Sequence, residues 1–270
     1  MKSFSHFTIL ALVGCSHAFP FSRLLRLGKR QVESQMNDVD ILRYALTLEH
    51  LEDKFYREGL ASFTQADFAT AGFDNTFYQN IQTISAHEST HVAFLTAALQ
   101  SLGEDILTAA GSILTVEARH SAYLRASLSQ SPFPQSQDDP LTPDEVHTMA
   151  HVFITSCPAD NPTFPIKPFP GLSVTTTGTI TSGQVIGVQT VDYVLSASDA
   201  DAHLYAAFIT AAGADFALLT PSGDGRNYMV RVPLGVNGQS YLLFTNCNTT
   251  VTDQNVVAGP TFVGVSNLWI

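Results

Sequence analysis

The chain has 270 residues, 13 basic and 24 acidic side chains, a formal net charge of −11 and 45% hydrophobic residues. Its length and apolar content suffice for more than one buried core. So acidic a surface repels the phosphates of nucleic acid and of anionic membranes, which excludes both as partners.

At the N-terminus, Lys2 precedes an apolar run over residues 7–15, and the small-residue stretch Ser16-His17-Ala18 follows it. The pattern predicts a secretory signal peptide over 1–18, too short to span a bilayer. Residues 19–30 end in Gly28-Lys29-Arg30, a dibasic pair of the kind that processing proteases cut, so 19–30 reads as a propeptide and the mature chain starts at Gln31. That mature chain keeps 8 basic against 24 acidic residues, a net charge of −16. No later apolar run reaches membrane-spanning length, so no integral membrane contact is expected. The expected location is secreted, extracellular or associated with a cell wall.

Helical periodicity begins in residues 39–59, with Ile41, Leu42, Ala45, Leu48, Leu51, Phe55 and Tyr56 on one stripe and Gly59 as a natural stop. Stepping by three and four along one edge gives Leu42, Ala45, Glu49, Glu52 and Tyr56, which sets two carboxylates beside the core face. Residues 76–102 repeat the stepping through Ile81, Ile84, Glu88, His91, Leu95, Ala98 and Leu102. Residues 106–128 do so again through Ile106, Ala110, Ile113, Glu117, His120, Leu124 and Leu128. Each of these two helices thus carries a Glu-x-x-His pair at the middle of an apolar seam.

A buried glutamate costs several kcal/mol unless it is paired or bound to a cation. Residues at i and i+3 stand on one helix face about a turn apart, close enough to share a metal ion. Two resolutions are open. One is iron or manganese held by carboxylate and imidazole, as in di-iron and di-manganese carboxylate bundles. The other is a Glu–His hydrogen-bond network with no metal. A further helix is predicted over 141–155 from the start signal Thr142-Pro143-Asp144-Glu145. Val146, Met149, Ala150 and Phe153 form its packing face, with Asp144, His147 and His151 beside it.

Residues 157–170 hold five prolines in fourteen residues and read as a semi-rigid linker. Beyond it come short β-branched runs at 173–177, 184–189, 193–196, 205–210, 228–232, 241–245 and 261–265. Gly223-Asp224-Gly225 and Asn237-Gly238 mark turns between them, the latter a two-residue hairpin signal. Seven such strands predict an immunoglobulin-like sandwich over 171–270, with binding or packing as its role. Once Cys15 leaves with the signal peptide, Cys157 and Cys247 most simply form a disulfide. A Cys–His metal site competes with that reading. Asn248-Thr249-Thr250 is a glycosylation acceptor that should face solvent.

The segments 38–52, Phe55-Tyr56-Arg57-Glu58-Gly59-Leu60, Ala86-His87-Glu88-Ser89-Thr90-His91 and Val116-Glu117-Ala118-Arg119-His120 resemble the fungal secreted ferritin-like proteins, relatives of stress-response and desiccation-related proteins. The resemblance continues through Ser156-Cys157-Pro158, Val236-Asn237-Gly238-Gln239-Ser240-Tyr241 and Thr245-Asn246-Cys247-Asn248. It implies an α+β chain of two domains: a ferritin-like bundle over 36–156, then the linker and the sandwich. It also implies a metal-ligand set of Glu49, Glu88, His91, Glu117 and His120, with Glu52 as a weaker sixth. The family places another core helix, bearing a further Glu, between the two Glu-x-x-His helices. Here only residues 103–111 stand there, so the chain is either a shortened variant or the product of a skipped exon. The segment 141–155, through Asp144, His147 and His151, is a candidate substitute.

The function implied is a non-enzymatic or degenerate protein of stress or desiccation response or of development, with iron, manganese or no metal and no catalytic residue. The alternative is a di-iron or di-manganese oxidoreductase using the Glu-x-x-His pairs. A third reading, an adhesion or carbohydrate-binding module, rests on the sandwich alone.

Overall fold

The computed structural model describes residues 37–101, 106–157, 165–195, 204–223 and 225–266. The signal peptide and propeptide expected over 1–30 lie outside them, as do residues 158–164, half of the proline-rich stretch. The chain forms two compact units, one of residues up to 132 together with 153–165, the other of 133–152 together with residues from 166 onward. These bounds differ from the expected bundle over 36–156.

The helical unit contains α1 (Asp38–Ser62), α2 (Gln65–Thr70), α3 (Asn75–Ser101) and α4 (Ile106–Ser127). Asn37 opens α1 with a capping box: its side chain accepts from the Asp40 N–H at 3.0 Å, and Asp40 accepts from the Asn37 N–H at 3.3 Å. Thr64 and Asp67 repeat the device for α2, a helix the apolar periodicity does not reveal because it is too short. α1 packs closely along α3, while α4 touches α3 more sparingly. One apolar cluster gathers Phe77, Ile81, Ile84 and Leu124, with Phe73 stacked on Phe77 at 4.3 Å. Another gathers Leu42, Leu95 and Ile113. Glu88 and His91 lie along α3 between these clusters. Among the described residues no helix is long and apolar enough to cross a membrane.

Among the described residues the second unit holds α5 (Pro143–His151) and nine strands: β1 (Gly171–Val174), β2 (Ile180–Thr181), β3 (Val185–Val191), β4 (Tyr205–Thr210), β5 (Gly213–Leu218), β6 (Thr220–Pro221), β7 (Asn227–Arg231), β8 (Gly238–Thr245) and β9 (Val256–Ser266). One sheet has the order β1-β3-β7-β6, the other β2-β9-β8-β4-β5, and among the described residues only the β2–β9 pair is parallel. A single apolar core draws on both sheets, through Ile186, Val188, Val230 and Phe208, Leu242, Phe244.

Four expectations are corrected here. The helix predicted over 141–155 is shorter and belongs to the β unit, where it packs on β9. It is tied there by bonds from Thr142 Oγ1 to Asp253 (3.0 Å), Lys167 N–H to Asp144 (3.1 Å) and Phe169 N–H to Thr148 Oγ1 (2.8 Å). Asp144, His147 and His151 lie on this helix, within the β unit. Within the predicted strand at 193–196, residues 193–195 are not in a strand, because the chain turns out of β3 at Asp192, whose φ is +54°; Ser196 lies outside the described residues. Asn237-Gly238 makes no hairpin, since β7 and β8 lie in different sheets. Gly238 is needed for another reason: its φ is +75°, and a Cβ there would meet the Pro134 carbonyl oxygen at 2.5 Å. The two-residue hairpin is instead β4–β5, closed across Thr210 and Gly213. Finally, Cys157 and Cys247 carry free thiols and belong to different units. Cys247 Sγ lies against the hydroxyls of Thr249 (3.4 Å) and Thr250 (3.6 Å) instead.

Candidate metal centre

Helical periodicity brings the seam residues to one place. α1 contributes Glu49, α3 contributes Glu88 and His91, and α4 contributes Glu117 and His120; all five are buried, Glu88 to 1% exposure. Three carboxylates converge on one nitrogen. His91 Nδ1 lies 3.1 Å from Glu88 Oε2, 3.1 Å from Glu117 Oε1 and 3.2 Å from Glu49 Oε2. A protonated nitrogen has one hydrogen to donate and cannot serve three acceptors. Accordingly only the Glu88 contact has hydrogen-bond geometry, and Glu49 Oε2 and Glu117 Oε1 are buried without a hydrogen-bond partner. Ligand atoms of Glu49, Glu88, His91 and Glu117 all lie within 4.8 Å of one another.

Glu88 faces both histidines. Its other oxygen, Oε1, is 3.1 Å from His120 Nδ1, and Glu117 Oε2 is 3.6 Å from the same nitrogen. His120 Nδ1 is also buried and has no hydrogen-bond partner. The arrangement thus has a fuller half around His91 and a sparser half around His120, linked by Glu88 and Glu117.

The charges answer to this crowding. Withdrawal from water disfavours the imidazolium of His91, but the carboxylates of Glu117, Glu49 and Glu88 outweigh it and lift the ring to about 12. Burial opposes His120 in the same way, and Glu117 with Glu88 lifts it to about 9. Burial raises Glu49 above its ordinary value despite His91. Burial acts against Glu117 too, yet His120 and His91 hold it below the usual range. A cation placed among these oxygens would do the balancing that the cluster otherwise asks of two imidazolium rings. Three carboxylates and an imidazole suit a hard or borderline divalent ion, and two of the three atoms without hydrogen-bond partners belong to that group, on Glu49 and Glu117. The residues therefore fit the metal that the sequence pattern implies.

Glu52, the weaker candidate, stands outside this group of four. It is half-buried, and its carboxyl is raised well above the usual range by burial and then by the charges of Glu117, Glu88 and Glu49, which places it next to the cluster.

Two residues escape the stepping rule. His87 lies four residues before His91, off the seam, and its Nδ1 is 3.0 Å from His120 Nε2, with the two rings stacked at 5.3 Å. That contact occupies one face of His120 and leaves Nδ1 turned to the carboxylates, the outer-shell support that metal-binding histidines commonly have. Asp53 is buried on α1, accepts from Ser89 on α3, and pairs with Arg57 at 2.7 Å. The i, i+4 spacing from His91 is the only sequence signal for His87, and nothing local marks Ser89 as the partner of Asp53.

Residues 37–105 match the ferritin-like domain family. The match covers α1 to α3 with Glu49, Glu88 and His91, and ends before α4. No curated protein matches the chain. The chain therefore has a ferritin-like helical region and a separate β-rich region, with a buried Glu/His group that could hold a metal ion.

Proposed function

We propose that this is a secreted, ferritin-like protein that binds iron or manganese through Glu49, Glu88, His91 and Glu117, with His120 as a second nitrogen donor and Glu52 beside it. The observation that carries the reading is the pair of buried carboxylate oxygens, on Glu49 and Glu117, that crowd His91 Nδ1 without a hydrogen-bond partner. Leaving buried charged groups unsatisfied costs several kcal/mol, and a bound ion removes that cost. Binding without catalysis is the leading role, in stress or desiccation response or in development, because the half around His120 is short of ligands among the described residues. Only residues 102–105 separate α3 from α4, leaving no room for the additional ligand helix of the family it resembles.

Secretion into an extracellular or cell-wall setting is supported by the pattern of residues 1–30, and glycosylation at Asn248 by its exposed acceptor sequence. An immunoglobulin-like sandwich is supported by the strand orders β1-β3-β7-β6 and β9-β8-β4-β5, which parallel the two sheets of that fold. The second reading, an oxidoreductase, is favoured by one observation: a cleft reaches both His91 and His120. A bound iron or manganese ion would supply one-electron redox chemistry there.

Elemental analysis of the protein purified from a secreting host tests the proposal. Between about one and two iron or manganese ions per chain are expected. Glu88→Gln should remove most of that metal while far-UV circular dichroism stays unchanged. A metal-free chain, or full loading of the variant, would overturn the proposal.

A further inference from the structure

A cleft of about 490 Å³ opens on the side where α3 and α4 face each other, and both His91 and His120 lie in its wall. Its other polar lining groups include Arg119, Tyr123 and His87, while Ile84 and Val116 add apolar surface. Arg119 makes no ion pair among the described residues, in a chain whose net charge is −11. Asn80 Nδ2 donates to the Tyr123 hydroxyl oxygen at 2.9 Å, and no acceptor for the hydroxyl's own proton is found among the described residues. The cleft therefore presents a cationic fork and an uncommitted O–H donor near a histidine whose Nδ1 meets only Glu88 and Glu117.

We infer that this cleft binds a small monocarboxylate, its carboxylate held by Arg119 and Tyr123 and its short alkyl end against Ile84 and Val116. The inference rests on the metal-binding reading for its chemical sense. Among the described residues the His120 half has only the carboxylates of Glu88 and Glu117, both shared with the His91 half, and an outside carboxylate is the group that would complete it. A guanidinium matches a carboxylate in a two-pronged geometry. One free cation also balances one negative charge, whereas inorganic phosphate would bring a second beside Glu117 and Glu88. The apolar wall adds a reason for an organic acid over an inorganic anion.

The test uses the full-length secreted protein loaded with Co(II), whose visible absorption reports its ligands. Acetate and propionate should shift the bands saturably, with inorganic phosphate weaker by about tenfold. Arg119→Gln should weaken acetate by about tenfold and Tyr123→Phe by a smaller factor, with Co(II) loading unchanged in both. A spectrum indifferent to acetate, or an equal response in Arg119→Gln, would overturn the inference and leave the metal site standing. If Co(II) does not load, the metal reading fails, and acetate titration of the metal-free protein followed by NMR at the Arg119 side chain decides the cleft separately. An unmoved Arg119 signal then overturns the inference; a saturable shift upholds it.

Discussion

The β unit closes over Phe208, Leu242, Phe244, Ile186 and Val230, and its buried hydroxyls are matched, Ser240 donating to the Ile209 carbonyl at 2.8 Å and Thr245 to Asn255 at 3.3 Å. The helical unit encloses Glu49, Glu88, His91, Glu117 and His120 between two smaller apolar clusters, and leaves three of their polar atoms without hydrogen-bond partners. A core of the first kind stabilises by burial alone. One of the second kind also holds a buried Glu/His group that could bind a metal ion. The contrast teaches where to look for function: buried polar atoms without hydrogen-bond partners are tolerated in the helical unit, and such exceptions are most often found at functional sites.

That contrast can be broken from either side. The largest effect is expected from Phe244→Ala, which deletes a fully buried ring set edge-on to Tyr228 at 5.1 Å. It should destabilise the β unit by about 3–5 kcal/mol in denaturant unfolding, with the metal content of the helical unit unchanged. Chelation should act on the other unit. Stripping an ion present at a hundred times its dissociation constant removes about 2.7 kcal/mol, and hydrogen exchange should rise in α1, α3 and α4 but not in the β strands. Exchange rising equally in both units would show that they are not independent in this respect.

The next effect concerns pH. Burial raises Asp139 and Glu145 in the β unit to about 7. Because the folded form holds these protons more tightly than the unfolded one, the stabilisation is complete below about pH 4 and is lost as pH rises through about 7. The β unit should lose stability across that window, and Asp139→Asn with Glu145→Gln should flatten the dependence of its melting temperature on pH. The smallest effect is expected at Thr142, which caps α5 by accepting from the Glu145 N–H at 3.3 Å. Thr142→Ala should cost about 1 kcal/mol, read as faster exchange confined to α5.

Much of the helical unit was legible in the sequence because its signals are local. Glu88 with His91 and Glu117 with His120 share a helix face by the 3.6-residue period alone, and the apolar neighbours Ile84, Leu95, Ile113 and Leu124 mark that face as buried. Capping boxes at Thr142 and Asn37 are equally local. The strand segments at 184–189, 205–210 and 241–245 also read correctly, since β-branched and aromatic runs bounded by turns depend on neighbouring residues only.

What tertiary structure alone decided is which of these elements meet. Nothing in the spacing tells that α5 joins the β unit, that Gly238 passes beside Pro134 rather than turning a hairpin, or that Cys157 and Cys247 stay unpaired. The convergence of Glu49, Glu88 and Glu117 on one nitrogen of His91 belongs to the same class, as does the support that His87 gives His120. The physical reason is common to all of them. Backbone periodicity is set by the conformation of a few adjacent residues, whereas the choice of partner is set by packing between surfaces far apart in the chain, and sequence separation carries no record of it.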